Sequence, residues 1–226
     1  MAEKIKWLYT IIQLLIVFIS MVYGVLYWQK IKQNGYLKLF PFYIVVSMLL
    51  TLASLFKNIN SLSLLVQNIF IPFEFFIFYN FFIKVLQNKK VYPILIILSV
   101  LFVLSVIIVP AYYYTNQNKY KNVILFLSHR GFSEIFVIEN IFIVIPILLY
   151  YTSLFNRPYI KNLSADSIFF AMTGILFCFT ISTPLFVFYK IIWSQSRQIY
   201  TFLFPINCLA YIIMHIFFIK AFKSIK

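Results

Sequence analysis

The sequence predicts an all-α polytopic membrane protein, a single domain over residues 1–226 built as a bundle of seven transmembrane helices. Three observations predict it. Seven apolar runs fill most of the 226 residues, each near the length that a helix rising about 1.5 Å per residue needs to cross roughly 30 Å of hydrocarbon. Hydrophobic residues make up 63% of the chain and charged residues only 11%, too few to cover the surface of a water-soluble domain of this size. Between the runs lie short basic or turn-forming breaks, and neither terminus nor the longest break, Ala111 to Ser133, is long enough to bury a core of its own.

The expected spans are 7–28, 39–56, 62–85, 91–110, 135–155, 167–190 and 201–221. The first follows Met-Ala-Glu-Lys-Ile-Lys in the manner of a signal peptide, but its apolar run is too long and lacks a small-residue cleavage site, so it is expected to stay as a helix. Turn chemistry separates the spans: Lys-Gln-Asn-Gly at 32–35, Lys-Asn-Ile-Asn-Ser at 57–61, Gln-Asn-Lys-Lys at 87–90 and Asn-Arg-Pro at 156–158. Pro110 closes the fourth span, and Tyr112, Tyr113 and Tyr114 after it suit the aromatic belt of a membrane interface. Beyond them, residues 120–132 mix apolar and basic side chains and are expected to lie along the interface as a short helix.

Nineteen Lys and Arg against five Asp and Glu give a net charge of +14. In a soluble protein that balance would suggest nucleic acid. Here the charges cluster at span ends, which fits anionic lipid headgroups and the positive-inside bias, and no nucleic-acid partner is expected. With the N-terminus outside, eleven basic residues fall on the cytoplasmic side and eight opposite, so an outer N-terminus and a cytoplasmic C-terminus are predicted, in a bacterial inner membrane. Cys178 and Cys208 both lie inside apolar runs and behave there as small hydrophobes.

Counting excludes several chemistries. The only histidines are His129 and His215, short of the three or four ligands a zinc site takes. Asp166 is the sole aspartate, at a helix start where capping is its ordinary role. Four glycines offer no nucleophile turn, and Lys220 sits at the end of the seventh span, not midway where a Schiff base would be needed. No catalytic residue, metal ligand set or cofactor is expected, and the chain is not expected to be an enzyme.

Polar side chains inside the spans are costly in lipid and are therefore the candidate functional residues. Glu74 lies mid-span after Pro72 and seven residues past Gln67, so the two share a helix face. Glu139 and Asn140 occupy the fifth span and Thr183 the sixth, while Asn207, Tyr211 and His215 recur every four residues along the seventh. Glu74, Gln67, Glu139, Asn140, Thr183, Asn207 and Tyr211 are expected to line one outward-facing polar pocket that binds a ligand. The alternative is that they hydrogen-bond helix to helix. Ala171 and Gly174 mark a close helix contact.

Phe81-Phe82-Ile83-Lys84 recurs as Phe217-Phe218-Ile219-Lys220, an echo that suggests a 3+1+3 parallel repeat. The segments Gln67-Asn68-Ile69-Phe70-Ile71-Pro72-Phe73-Glu74-Phe75 and Ser167-Ile168-Phe169-Phe170-Ala171-Met172-Thr173-Gly174-Ile175-Leu176 resemble those of a group of small, uncharacterised seven-helix inner-membrane proteins of Bacteroidota. That resemblance implies topology and no activity. The helix count also matches SWEET-type sugar transporters, although the Pro-Gln pair of that family is absent. The expected function is that of a sensor-like or accessory membrane protein, binding a small ligand or lipid and acting through a partner protein or a second copy. A small solute transporter or channel and a membrane effector of a defence system are the alternatives.

Overall fold

The computed structural model describes residues 2–53, 60–89, 91–117, 123, 126–127, 132–156, 163, 166–195 and 197–225. Among them are eight helices and no strand: α1 (Ala2–Leu26), α2 (Trp28–Asn34), α3 (Phe40–Ala53), α4 (Asn60–Val85), α5 (Tyr92–Gln117), α6 (Ser133–Phe155), α7 (Ser167–Gln195) and α8 (Arg197–Lys223). Six of them, α1, α4, α5, α6, α7 and α8, are long and apolar enough to cross a membrane. The chain is thus all-α with the character of an integral membrane protein.

The second expected span, 39–56, is the exception. Its helix α3 has 14 residues, about 21 Å of rise against roughly 30 Å of hydrocarbon, and residues 54–59 lie outside the described set. The first span is also cut earlier than expected. Tyr27 ends α1, and the seven-residue α2 turns the chain back to bury Ile31. Gly35 caps α2 with φ +70°, the left-handed conformation that closes a helix, and its N–H donates to the Ile31 carbonyl at 3.3 Å. Lys84 then reaches across from α4 to the Gly35 carbonyl at 3.2 Å, tying the two ends together.

Pro110 does not end the fourth span as expected. It lies inside α5, which runs on to Gln117, and Pro72, Pro146, Pro184 and Pro205 are likewise interior to their helices. A proline removes one backbone donor, and a membrane bundle tolerates this where a neighbour satisfies the freed carbonyl. Pro146 shows how: the Phe142 carbonyl, which residue 146 would have bonded, accepts instead from the Tyr79 hydroxyl of α4 at 2.9 Å. Of the interfacial helix expected over 120–132, Val123, Phe126 and Leu127 are helical and most of the rest lies outside the described residues, as does most of the turn at 57–61, Lys90, Arg157 and Pro158.

Packing arranges α1, α3, α4, α6, α7 and α8 as a ring in that order, closed by α8 against α1. Helix α5 sits outside it, against α4 and α6. The tightest seam is α7 on α8, where Ala171, Gly174 and Cys178 recur on one face and Ala210, Met214 and Phe218 oppose them, all buried. Gly174 lets the backbones approach, since a Cβ there would lie 2.7 Å from the Phe217 Cβ. The interior is strongly aromatic. Phe40 meets Phe81 at 5.1 Å and Phe218 at 5.0 Å, both edge to face, which brings the two Phe-Phe-Ile-Lys segments to the same ring. Asp166 caps α7, accepting from the Ile168 and Phe169 N–H groups at 2.9 and 3.4 Å, in line with its expected role.

Candidate functional site: a polar cavity above a buried carboxyl pair

Four helices carry polar side chains at helical spacing toward one interior. On α3, Tyr43, Ser47 and Thr51 recur every fourth residue, as do Asn207, Tyr211 and His215 on α8. Helix α4 contributes Gln67, Phe70 and Glu74, and α1 contributes Thr10 and Gln13. Where these stripes converge they line a cavity of about 190 Å³, whose walls include Thr10, Gln13, Ser47, Thr51, Gln67, Asn207 and Tyr211. Its apolar lining is mainly aromatic: Phe70, Phe136, Phe186 and Phe204. Phe136 and Phe186 stack with centroids 4.7 Å apart and planes 7° from parallel, forming one flat wall from α6 and α7. The lining residues come from the first half of α1 and α4, the first turn of α6, the last part of α3 and α7, and α8 as far as its middle, so the cavity occupies the end of the bundle where α1 begins.

Three of the seven expected pocket residues, Gln67, Asn207 and Tyr211, line this cavity. Asn207 is held by α7, its Oδ1 accepting from the Ser182 hydroxyl at 2.9 Å. Thr183 is placed differently. Its hydroxyl donates to the Phe179 carbonyl of its own helix at 2.6 Å, the ordinary way a threonine settles its polar group within a membrane helix.

Glu74, Glu139 and Asn140 lie beneath the cavity, and none of them lines it. Glu74 is 1% exposed and accepts a hydrogen bond from the Tyr43 hydroxyl of α3 at 2.6 Å. The pocket expected from sequence draws its other helices from the fifth, sixth and seventh spans and holds no partner from the second. Tyr43 supplies it because it stands one turn before Ser47 on the same face and so points to the level just under the cavity floor. Phe70 separates the two regions: it lines the cavity above and stacks on Tyr43 below, with centroids 5.8 Å apart. Glu139 and Asn140, on α6, are 0% and 1% exposed. Both Glu139 oxygens and the Asn140 Nδ2 have no hydrogen-bond partner among the described residues. His215 is fully buried too, with both ring nitrogens unpartnered and its ring 5.6 Å from Phe218.

Among the described residues no cluster of three or more His, Cys, Asp or Glu side chains is placed to hold a metal ion. The site offers uncharged hydroxyls and amides with aromatic faces above, and two carboxyls below. That combination suits recognition by hydrogen bonds and ring stacking. Comparisons of the chain with protein-family models, with curated proteins and with solved structures return no match.

Proposed function

We propose that the chain is a non-enzymatic seven-helix membrane protein that takes a small uncharged ligand into the cavity and passes the event to a partner protein as a sensor or accessory subunit. The supporting observation is the one-sided cavity closed below by Phe70. A molecule entering between Gln67, Asn207 and Tyr211 presses on the ring stacked over the Tyr43–Glu74 hydrogen bond, and so acts on the interior that joins α3, α4 and α8. At about 190 Å³, the space is below the ~300–1,000 Å³ of clefts for drug-sized molecules. A small ligand or the tip of a lipid fits it better than a whole lipid. In this reading α3 counts as one of seven crossings, and the triplets α1–α3–α4 and α6–α7–α8 form the two halves of a 3+1+3 repeat.

The test is native mass spectrometry of protein extracted from its own membranes. Wild type carries a co-purifying small molecule; Thr51→Phe and Asn207→Phe, which fill the cavity, lose it while keeping the same elution volume. Retention of the same mass in both filled variants sinks the proposal. The runner-up, a small solute transporter, is favoured by Glu74 lying at mid-helix depth, and is distinguished by solute flux in proteoliposomes.

The orientation proposed for this receptor is N-terminus outside and C-terminus cytoplasmic. Seven lysines with described side chains, at 30, 32, 38, 84, 89, 220 and 223, gather where α1 ends and α3 begins, and Lys223 lies over the Tyr23 ring at 4.5 Å. A fluorescent protein fused after Lys226 should therefore fluoresce and an alkaline phosphatase fused there should be inactive. The opposite pattern reverses the orientation, and the cavity then opens to the cytoplasm.

A further inference from the structure

Two acidic side chains share the interior under the cavity, and neither forms an ion pair among the described residues. Among the described residues, Glu139 is fully buried with both oxygens unpartnered, and Glu74 has the Tyr43 hydroxyl alone, on Oε1. Their helices α4 and α6 pack together, with Phe70 and Phe136 sharing the cavity wall about one turn before the two glutamates and the Tyr79 hydroxyl bonding to the Phe142 carbonyl about one turn after them, so the two carboxyls stand at one level. Cys178 of α7, Tyr211 of α8 and Tyr43 of α3 are the titratable groups that the neighbouring helices turn toward this interior. None of these three groups is cationic. His215, one turn beyond Tyr211, is fully buried against Phe218 with no hydrogen-bond partner on either ring nitrogen among the described residues, and Tyr79 on α4 is committed to the Phe142 carbonyl. Among the described side chains of α1 and α5 none is charged. The lysines lie at helix ends.

Two carboxylates facing each other in a water-poor interior repel, and removing each from water is unfavourable unless a positive charge accompanies it. We infer that Glu74 and Glu139 form a binding site for a single positive charge, either one shared proton or one alkali-metal ion, held between α4 and α6. The free oxygens are the right chemistry for both, since a proton bridges two carboxyls and a hard cation takes oxygen ligands. One bridging charge gives the orphaned Glu139 a partner and turns the mutual repulsion into shared attraction, and the one negative charge that remains is stabilised on Glu74 by the Tyr43 hydroxyl; two would leave the pair neutral, with nothing shared. The site stands on the carboxyl geometry alone, so it survives even if the cavity above proves to bind nothing.

The experiment uses the full chain in lipid nanodiscs. The chain has only five Asp and Glu, which makes carboxyl counting by infrared spectroscopy practical. At neutral pH in choline chloride, a shared proton gives a carboxylic-acid band with the amplitude of one group, and the band shifts or vanishes in Glu139→Gln. An alkali ion gives instead no such band in sodium or potassium chloride, together with a thermal midpoint several degrees higher than in equimolar choline chloride; Glu139→Gln and Glu74→Gln each abolish that rise. A band amounting to two groups overturns the inference, as does the absence of both signals. Where the variants fail to fold, the wild-type band count and salt comparison decide alone.

Discussion

Gly174→Leu is expected to leave no folded protein, and Gly174→Ala to fold with a clearly lowered thermal midpoint. A Cβ at this position would meet the Phe217 Cβ at 2.7 Å, the Met214 carbonyl oxygen at 3.1 Å and the Met214 Cα at 3.4 Å. Two of those atoms are backbone, so rotating a side chain cannot relieve the clash. Overpacking of a filled interior costs about 1–3 kcal/mol, and the larger side chain must force α7 and α8 apart along the tightest seam of the ring. Gly24→Ala provides the contrast. Its Cβ would stand 3.4 Å from the Pro41 Cβ, an ordinary contact, and the midpoint should hardly move. Fluorescence-detected size exclusion after a temperature series measures all three, and a monodisperse Gly174→Leu with the wild-type midpoint would show that the seam is looser than described.

The second large effect belongs to Glu74. Glu74→Leu strands the Tyr43 hydroxyl in a fully buried position, where an unpaired donor costs about 1–3 kcal/mol. Glu74→Gln keeps a carbonyl acceptor at the same place and should remain within ~1 kcal/mol of wild type. Tyr43→Phe removes the donor as well, so the double variant Tyr43→Phe/Glu74→Leu should regain part of what Glu74→Leu loses. A double-mutant cycle on thermal unfolding in detergent reads this coupling. Strict additivity of the two single changes would mean that the hydrogen bond contributes nothing beyond the separate side chains.

Apolar run length revealed the helices because the bilayer sets that length for every crossing alike. It did less well at proline and tyrosine. Pro110 looked like a stop, yet a neighbouring helix or water can take up the one carbonyl it frees, and α5 continues. Glu74, Glu139 and Asn140 were recognisable as interior groups from polarity alone, whereas their separation from the cavity depends on Phe70, whose position as a partition no spacing rule conveys. Tyr43 was missed although its signal was present: Tyr43, Ser47 and Thr51 recur every four residues in an otherwise apolar helix. A stripe of hydroxyls resembles ordinary membrane-helix composition until the acceptor across the gap is known. Thr183 erred the other way, because a threonine can satisfy itself on its own backbone.

Helix α5 contributes little to the ring; only 11% of its most apolar stretch is buried, and it is anchored chiefly by Phe102 stacking on Phe75 at 3.8 Å. Its value is one of direction. Helices α4 and α6 are neighbours, and a chain that crosses a bilayer alternately can lay two neighbours side by side pointing the same way only if an odd number of passes lies between them. α5 is that return pass, placed outside the ring so that the interior is not interrupted. Because of it, Glu74 and Glu139 approach from staves running in the same direction, each set about midway or earlier along its own helix, without any loop having to enter the membrane between them.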